Sequence, residues 1–219
     1  MSRLITFGCS LTDGQALDSR DQAWPQQLAN LMNLPVENKG KKGSSTKRIW
    51  WEIMQTDFDP NDTVVCLWTH LDRWCIINAE GYTDENYYEW DLIDKAKLKD
   101  YIKTTKNITI DDINVHYKKE NEKGYLWYKN FHNDFDMLTQ YLALVNHAMY
   151  WLQSKVKKQY HLRATNYKLV LPFNETEFLP IDFQEIRERH PMANDGWHPG
   201  PEAHLEFAEQ IFQHISQNE

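Results

Sequence analysis

The sequence predicts an α/β fold, a three-layer α/β/α sandwich with a mostly parallel central sheet. Short apolar runs alternate with amphipathic, helix-forming segments, which is the pattern of a parallel sheet covered by helices. The run 63–68 is apolar at almost every position, as is typical of a strand buried on both faces. The 219 residues and the hydrophobic fraction of 41% suit a single domain, 1–219, with a large core.

Each predicted element rests on its own local pattern. Apolar runs predict strands, in chain order, at 4–7, 34–38, 63–68 and 167–171. Apolar residues at helical spacing predict helices at 21–33, around 49–54, at 131–156 and at 201–216. Pro25 suits the first turn of the first helix, and Ser44, Ser45 or Thr46 is expected to cap the second.

The two C-terminal helices carry the clearest stripes. At 131–156, apolar residues follow alternating steps of four and three, from Phe131 to Val156. Such a stripe can form a coiled-coil seam in a homo-oligomer, but the additional apolar residues beside it widen the face and favour packing on the sheet. The last helix is expected to turn five apolar side chains inward: Leu205, Ala208, Ile211, Phe212 and Ile215.

The stretch from about 78 to 130 differs from the rest of the chain. It is polar, charged and rich in Tyr and Trp, and its periodicity is weak. We interpret it as an insertion of loops with short helical pieces, such as 90–102, because a structureless loop of this length is uncommon in a compact domain. Its aromatic rings, including Trp90 and Trp127, are suited to stacking on sugars.

Composition excludes several classes of function. The chain has 24 basic and 32 acidic residues, and this net charge of −8 argues against a nucleic-acid partner. No apolar run approaches the length of a membrane span, and the N-terminus does not have the pattern of a signal peptide. The three cysteines, Cys9, Cys66 and Cys75, form no disulfide framework. Cys9 and Cys66 stand in apolar runs, which favours buried free thiols, so the reducing cytoplasm is the expected location.

Residues that can carry chemistry lie near both ends of the chain. Ser10 follows the first predicted strand, where ligands bind in parallel sheets, although turns and helix caps also use serine there. Asp195 stands three residues before His198, so its carboxylate can hold Nδ1 and leave Nε2 as a base. A surface histidine beside a capping aspartate is the alternative. A serine becomes a strong nucleophile when such a base takes its proton.

The two ends together resemble a known family. The stretches FGCSLTDG and DGWHP resemble the first and last blocks of the SGNH, or GDSL-like, hydrolases, and 36–45 resembles the second block, whose glycine corresponds to Gly43. The resemblance implies a flavodoxin-like fold and a serine esterase that works through an acyl-enzyme, without metal or cofactor. Ser10 would be the nucleophile, His198 the base and Asp195 the residue that orients it. The expected substrate is a small-molecule or glycan ester, such as an O-acetylated carbohydrate.

The third block departs from the family pattern. The family usually has an Asn there that donates to the oxyanion, together with backbone N–H groups that correspond to Ser10 and Gly43. Here His70 is the best match to that Asn, with Thr69 as the alternative. Loss of one oxyanion donor costs a factor of ~10²–10³ in rate. Three interpretations stay open: His70 replaces the Asn, the enzyme is slow, or the fold serves as a binding or structural module. Acyl transfer to an acceptor other than water is a further alternative.

Other residues are secondary candidates. Those expected to contact substrate near the oxyanion site are Trp68, Thr69, Arg73 and Trp197. Arg73 could grip a carboxylate or phosphate, or form a salt bridge with Asp72. A metal site at His190, Asp195 and His198 matches no strong zinc spacing, and no metal is expected. Cys9 stands where the family has Asp and is interpreted as structural. The aromatic content and altered third block resemble SGNH-like proteins of tailed phages, which makes a virion component the alternative location.

Overall fold

The central sheet of the protein is parallel. The structure is a computed structural model and describes residues 2–70, 73–78, 81–88, 134–164 and 178–217. The described sheet has four strands in the order β2-β1-β3-β6. In chain order these strands are β1 (Leu4–Phe7), β2 (Val36–Asn38), β3 (Thr63–Trp68) and β6 (Lys158–Arg163). An antiparallel hairpin stands apart from this sheet and consists of β4 (Arg73–Asn78) and β5 (Gly81–Tyr88).

Helices follow the strands along the chain. The described α-helices are α1 (Ser10–Asp13), α2 (Trp24–Met32), α3 (Thr46–Met54), α4 (Asp134–Gln153), α5 (Phe183–Glu188) and α6 (Pro201–Gln217). A 3-10 turn at Arg20–Gln22 precedes α2. Of the three residues expected to cap α3, Ser45 does so, since its hydroxyl accepts from the Arg48 N–H at 3.2 Å. None of the helices in the described ranges is long and apolar enough to cross a bilayer.

The two faces of β3 pack against different layers. Val65 and Leu67 lie in a cluster with residues of α2, α5 and α6. Val64, Cys66 and Trp68 lie in a second cluster with residues of α3 and α4. Because side chains alternate along a strand, a run with both faces covered must be apolar throughout. The predicted three-layer α/β/α sandwich is therefore confirmed.

The end of α4 differs from the prediction. The apolar stripe predicts a helix to Val156, but α4 ends at Gln153 and the chain turns into β6, a strand that the sequence analysis did not predict. Val156 continues the stripe because it packs in the same cluster as the helix, although it lies in the turn. The favoured packing of this helix on the sheet is confirmed, since its inward face is buried with β3.

Two further expectations were wrong. The hairpin β4–β5 forms where loops and short helical pieces were expected at the start of the insertion. Leu205 is 42% exposed rather than inward-facing. The inward position of the first turn of α6 belongs to His204, which is 0% exposed, and one residue along a helix rotates the side chain by about 100°. The predicted strand 167–171 and helical piece 90–102 lie outside the described residues.

Candidate active site

Ser10 stands where the first strand ends and the first helix begins. β1 ends at Phe7 and α1 begins at Ser10, which places the serine at the carboxyl edge of the parallel sheet. A Cβ at Gly8 would lie 2.0 Å from Thr12 Oγ1 and 3.1 Å from the Leu67 carbonyl oxygen. The glycine therefore lets α1 start close against β3. Ser10 itself is 4% exposed.

The loop after β2 packs directly on α1. A Cβ on Gly40 would lie 2.6 Å from the Asp13 nitrogen and 2.7 Å from the Thr12 carbonyl carbon, so only glycine fits. Asn38 fastens the loop, because its Nδ2 donates to the Thr12 carbonyl oxygen at 2.8 Å. The Oδ1 of the same side chain accepts from the Gly40 N–H at 2.9 Å. These contacts hold the glycine loop beside the start of α1.

Two backbone donors are open near this junction. Lys41 N–H donates to the Gly8 carbonyl oxygen at 3.2 Å, which draws the loop that contains Gly43 toward the end of β1. Gly43 has a φ of 72°, a conformation that favours glycine. Within the part of the chain that the structure describes, neither the Gly43 N–H nor the Ser10 N–H has a hydrogen-bond partner. Open backbone N–H groups are suited to stabilising an oxyanion.

Asp195 and His198 form a bonded pair in the loop before α6. Asp195 Oδ2 lies 2.6 Å from His198 Nδ1. The other carboxylate oxygen, Oδ1, accepts from the backbone N–H of Trp197 at 2.9 Å and of His198 at 3.0 Å. Because Nδ1 faces a carboxylate, it carries the ring proton and Nε2 is the basic nitrogen. The tight turn between the two side chains includes Gly196 at a φ of 68°.

The same hydrogen bonds keep Asp195 ionised. Partial burial alone would raise the pKa of this carboxyl, but the N–H groups of His198 and Trp197 and the His198 ring lower the pKa to about 2. Asp195 is therefore a carboxylate at neutral pH. A carboxylate in this position orients the imidazole and stabilises its protonated form.

The loop that carries the pair docks on the chain just after α1. Asn194 N–H donates to the Ala16 carbonyl oxygen at 3.4 Å, and Asn194 Nδ2 donates to Asp18 Oδ1 at 2.7 Å. The fold thus brings residues separated by most of the chain to one edge of the sheet. Within the described ranges, the Ser10 hydroxyl makes no hydrogen bond to His198, and catalytic contacts commonly tighten only when substrate binds.

The segment after β3 turns its first side chain inward. Thr69 is 2% exposed, and its Oγ1 accepts from Arg73 Nη1 at 2.9 Å. Arg73 Nη1 also lies 3.4 Å from the Ser44 carbonyl oxygen. His70 is half-buried. Asp72, the other predicted partner of Arg73, lies outside the described residues.

The structure separates the remaining candidates. Trp68, expected to contact substrate, is 0% exposed, and its Nε1 donates to His161 Nδ1 at 3.1 Å. It lies at a position of β3 that faces the layer of α3 and α4. Trp197 is 49% exposed and accessible to a ligand. His190 bonds to Glu206 rather than to the Asp195–His198 pair.

Sequence analysis missed two residues that build this site. Asn38 and Gly40 position the loop on α1, as described above, yet neither was singled out. The signal was present as Asn-x-Gly directly after a strand, a pattern typical of a turn that uses a side-chain acceptor and a close backbone approach. The contacts of Cys9 and Arg73 depend on three separate segments, and no local pattern indicates them.

Comparisons with known proteins give matches at the level of structure. No protein-family model and no curated protein matches the chain. An acetylxylan esterase from Geobacillus stearothermophilus, solved as a catalytic mutant, matches with 15% identity and a TM-score of 0.50, covering 98% of this chain and 94% of that chain. A member of the lipolytic protein G-D-S-L family from Veillonella parvula DSM 2008 matches with 11% identity and a TM-score of 0.45, covering 99% and 100%.

A third match is a psychrotrophic esterase from Pseudoalteromonas sp., with 10% identity and a TM-score of 0.45, covering 99% of this chain and 98% of that chain. The similarity to the acetylxylan esterase extends over nearly all of both chains and at 15% identity reports on the fold. The chain therefore has the α/β fold of the SGNH, or GDSL-like, hydrolases that its sequence resembles.

Proposed function

We propose that the protein is a serine ester hydrolase that acts through an acyl-enzyme. The observation that carries the proposal is the Asp195–His198 pair, whose 2.6 Å contact fixes the histidine tautomer and leaves Nε2 as a base. The loop holding the pair docks immediately after α1, the helix that begins at Ser10. A base on one loop and a serine at the end of a neighbouring strand are the two parts that nucleophilic catalysis requires.

The proposed reaction has two steps. Ser10 Oγ attacks the ester carbonyl carbon while His198 Nε2 takes the hydroxyl proton; the ester C–O bond then breaks, and the same proton goes to the leaving alcohol. In the second step a water molecule gives a proton to Nε2 and attacks the acyl group, and Ser10 recovers the proton when the acid leaves. Asp195 stabilises the protonated imidazole in both steps.

Backbone donors are proposed to hold the oxyanion. The N–H groups of Ser10 and Gly43 are open among the described residues, and His70 is the side chain that follows β3 nearby in the fold. A neutral or charged imidazole can donate through a ring N–H, as an amide side chain can. Three preorganised donors of this type would supply much of the stabilisation of the tetrahedral intermediate.

The proposed substrate class is an ester of a carbohydrate, such as an O-acetylated sugar. Trp197 lies between the members of the pair and is 49% exposed, so an aromatic face is available beside the base. Apolar sugar faces stack on such rings. A solved structure with the same fold is an acetylxylan esterase, and the fold therefore accommodates substrates of this class.

Acetate release from a panel of acetylated sugars and simple acetyl esters tests this proposal. We expect turnover by wild type, loss in Ser10→Ala, and at least a tenfold preference for sugar esters over a simple alkyl acetate, on the order of one well-packed aromatic contact. Trp197→Ala should remove the preference but retain turnover of the alkyl ester. Equal rates on both ester types would contradict the substrate class without affecting the hydrolase.

A binding or structural module without activity is the second candidate. The chain has no Asn at the third block, and the Ser10 hydroxyl makes no hydrogen bond to His198 in the described part of the molecule. Glycan binding by wild type that Ser10→Ala leaves unchanged, together with an absence of acetate release, would favour this function.

A further inference from the structure

Arg73 reaches into the interior of the proposed site. Its Nη1 donates to Thr69 Oγ1 at 2.9 Å and lies 3.4 Å from the Ser44 carbonyl oxygen. The charge of its guanidinium also acts on the thiol of Cys9, the residue before the proposed nucleophile. One side chain on β4 therefore bonds the segments that follow β2 and β3, and its charge acts on the segment that follows β1.

Cys9 forms the centre of this cluster. The side chain is 0% exposed, and burial alone would raise the pKa of its thiol. The positive charge of Arg73 opposes this effect and lowers the pKa. Interactions with the Leu11 N–H and with Thr69 lower it further, so that the pKa of the thiol falls below its ordinary value. Arg73 therefore acts on Cys9 as well as on Thr69 and Ser44.

Each of the three residues around Arg73 is adjacent in sequence to a proposed oxyanion donor. The neighbouring pairs in sequence are Cys9 with Ser10, Ser44 with Gly43, and Thr69 with His70. Movement of any bonded group would move the donor next to it. A shift of about 1 Å in a catalytic group can cost a factor of ~10² in rate. The relative placement of these segments should therefore affect the rate of the proposed reaction.

We propose that Arg73 is a positioning residue, which ties together the three loops that carry the oxyanion donors of the proposed esterase. The role rests on the proposed function, and it differs from the substrate-gripping role considered from the sequence. The planar guanidinium has five N–H donors in a fixed fork, so it can bond several loops at once. An ammonium group on a lysine can supply the charge but not this fork.

The Cys9 thiol gives a readout that does not depend on catalysis. In protein labelled at cysteine, the NMR chemical shift of the Cys9 Cβ, assigned with Cys9→Ser, follows the titration of the thiol. In Arg73→Met we expect the midpoint to rise by about 1–3 pH units, because a neighbouring positive charge is lost. Arg73→Lys should restore part of this shift.

Kinetics give the second readout. We expect Arg73→Met to lower kcat by a factor of ~10² with KM nearly unchanged, since the oxyanion donors act mainly in the transition state. Arg73→Lys should recover part of kcat. If Arg73→Met does not fold, Thr69→Val removes one bonded partner of Arg73 at nearly constant volume and should change both readouts in the same direction, by smaller amounts.

Arg3→Met is the matched control. Arg3 also bonds a backbone carbonyl and a buried carboxylate, through Asp57 at 2.7 Å and Asp62 at 3.2 Å, but it precedes β1 at the opposite edge of the sheet. We expect Arg3→Met to unfold at a lower temperature than wild type. Its Cys9 titration midpoint and its kcat should equal those of wild type.

The outcomes separate the two proposals. A Cys9 midpoint that is the same in wild type and Arg73→Met would overturn the positioning role, as would equal changes in Arg3→Met. A KM that rises while kcat stays constant would assign Arg73 to substrate binding instead. If wild type hydrolyses no ester, the proposed function fails, whereas the NMR titration still decides whether Arg73 holds Cys9 and its loop.

Discussion

At the scale of single residues, close backbone approaches determine where the chemistry can take place. Gly8 and Gly40 admit no side chain, and Asn38 bonds both α1 and the glycine loop. These contacts set the position of Ser10 relative to the loop of Gly43. The proposed catalytic residues were recognisable from sequence because Asp and His lie three residues apart, whereas the supporting contacts join separate segments.

Gly40→Ala should disrupt this junction. Its Cβ would meet backbone atoms of α1 at 2.6 Å and 2.7 Å, which cannot move without shifting the helix. We expect a loss of about 1–3 kcal/mol in the free energy of unfolding and a fall in kcat/KM, measured by urea denaturation and acetate release.

Gly196→Ala provides the comparison for Gly40→Ala. Its Cβ would meet no atom within 4 Å, but its φ is 68°. It isolates the cost of a left-handed backbone, about 1–2 kcal/mol. Wild-type stability and kcat/KM in Gly40→Ala would contradict the close packing of the loop on α1.

Asp195→Asn should reduce kcat far more than it changes stability. An amide at this position can present its N–H to Nδ1 and so stabilise the wrong histidine tautomer, with an expected fall in kcat by a factor of ~10²–10⁴. Steady-state kinetics measures the loss, and Glu209→Gln on the exposed face of α6 controls for removal of one negative charge. Retention of kcat within a factor of about two would contradict the role of the pair.

At the scale of elements, burial explains which predictions succeeded. β3 was recognisable because both of its faces are covered, which makes the run apolar. β6 has the sequence Lys-Gln-Tyr-His-Leu-Arg, which is too polar to be recognised as a buried strand. The apolar stripe of the preceding helix was therefore extended almost up to it. Leu205 was misplaced because His204, a polar residue, takes the inward position and bonds the Trp24 N–H at 3.2 Å through Nδ1.

The layer formed by α2, α5 and α6 depends on one aromatic stack. Phe207 is 0% exposed and stacks on Phe183 with ring centroids 4.1 Å apart, while Trp24 meets it edge-on at 5.6 Å. Phe207→Ala should lower the free energy of unfolding by about 3–5 kcal/mol. Phe212→Ala, at a half-buried position on the same helix, should cost clearly less in the same denaturation experiment. Equal costs would contradict the assigned face of α6.

At the scale of the whole molecule, two buried histidines make stability depend on pH. Burial lowers the pKa of His161 to about 3, and burial together with the charge of His198 lowers the pKa of His204 to about 3. Both side chains are neutral in the folded protein, but in the unfolded chain each binds a proton below its ordinary pKa of about 6.5. Stability is therefore complete above this pH and falls as the pH decreases toward 3.

Urea denaturation between pH 7 and pH 5 measures this dependence. The free energy of unfolding should fall as the pH decreases. Near pH 5 the slope should approach about 1.4 kcal/mol per pH unit for each histidine. His161→Gln keeps an acceptor for Trp68 and should remove the contribution of one histidine. An unchanged pH slope in this variant would contradict the neutral, buried state of His161.

The parts of the fold that depend on local sequence patterns were predictable. The alternation of strands and helices, and the blocks around Ser10 and His198, predict the sandwich and the residues that meet at its edge. The segment after β3 was harder, because the buried Thr69 hydroxyl is bonded by Arg73 from the hairpin. Such contacts follow from tertiary packing rather than from sequence spacing.

The central claim is that Ser10 is an activated nucleophile. Labelling with a fluorophosphonate probe, followed by mass mapping of the modified peptide, tests it most directly because only an activated serine reacts rapidly. We expect modification at Ser10 in wild type and in Ser154→Ala, an exposed-serine control, and none in Ser10→Ala or His198→Ala. Folded wild-type protein that stays unlabelled, or label that persists in Ser10→Ala, would contradict the account.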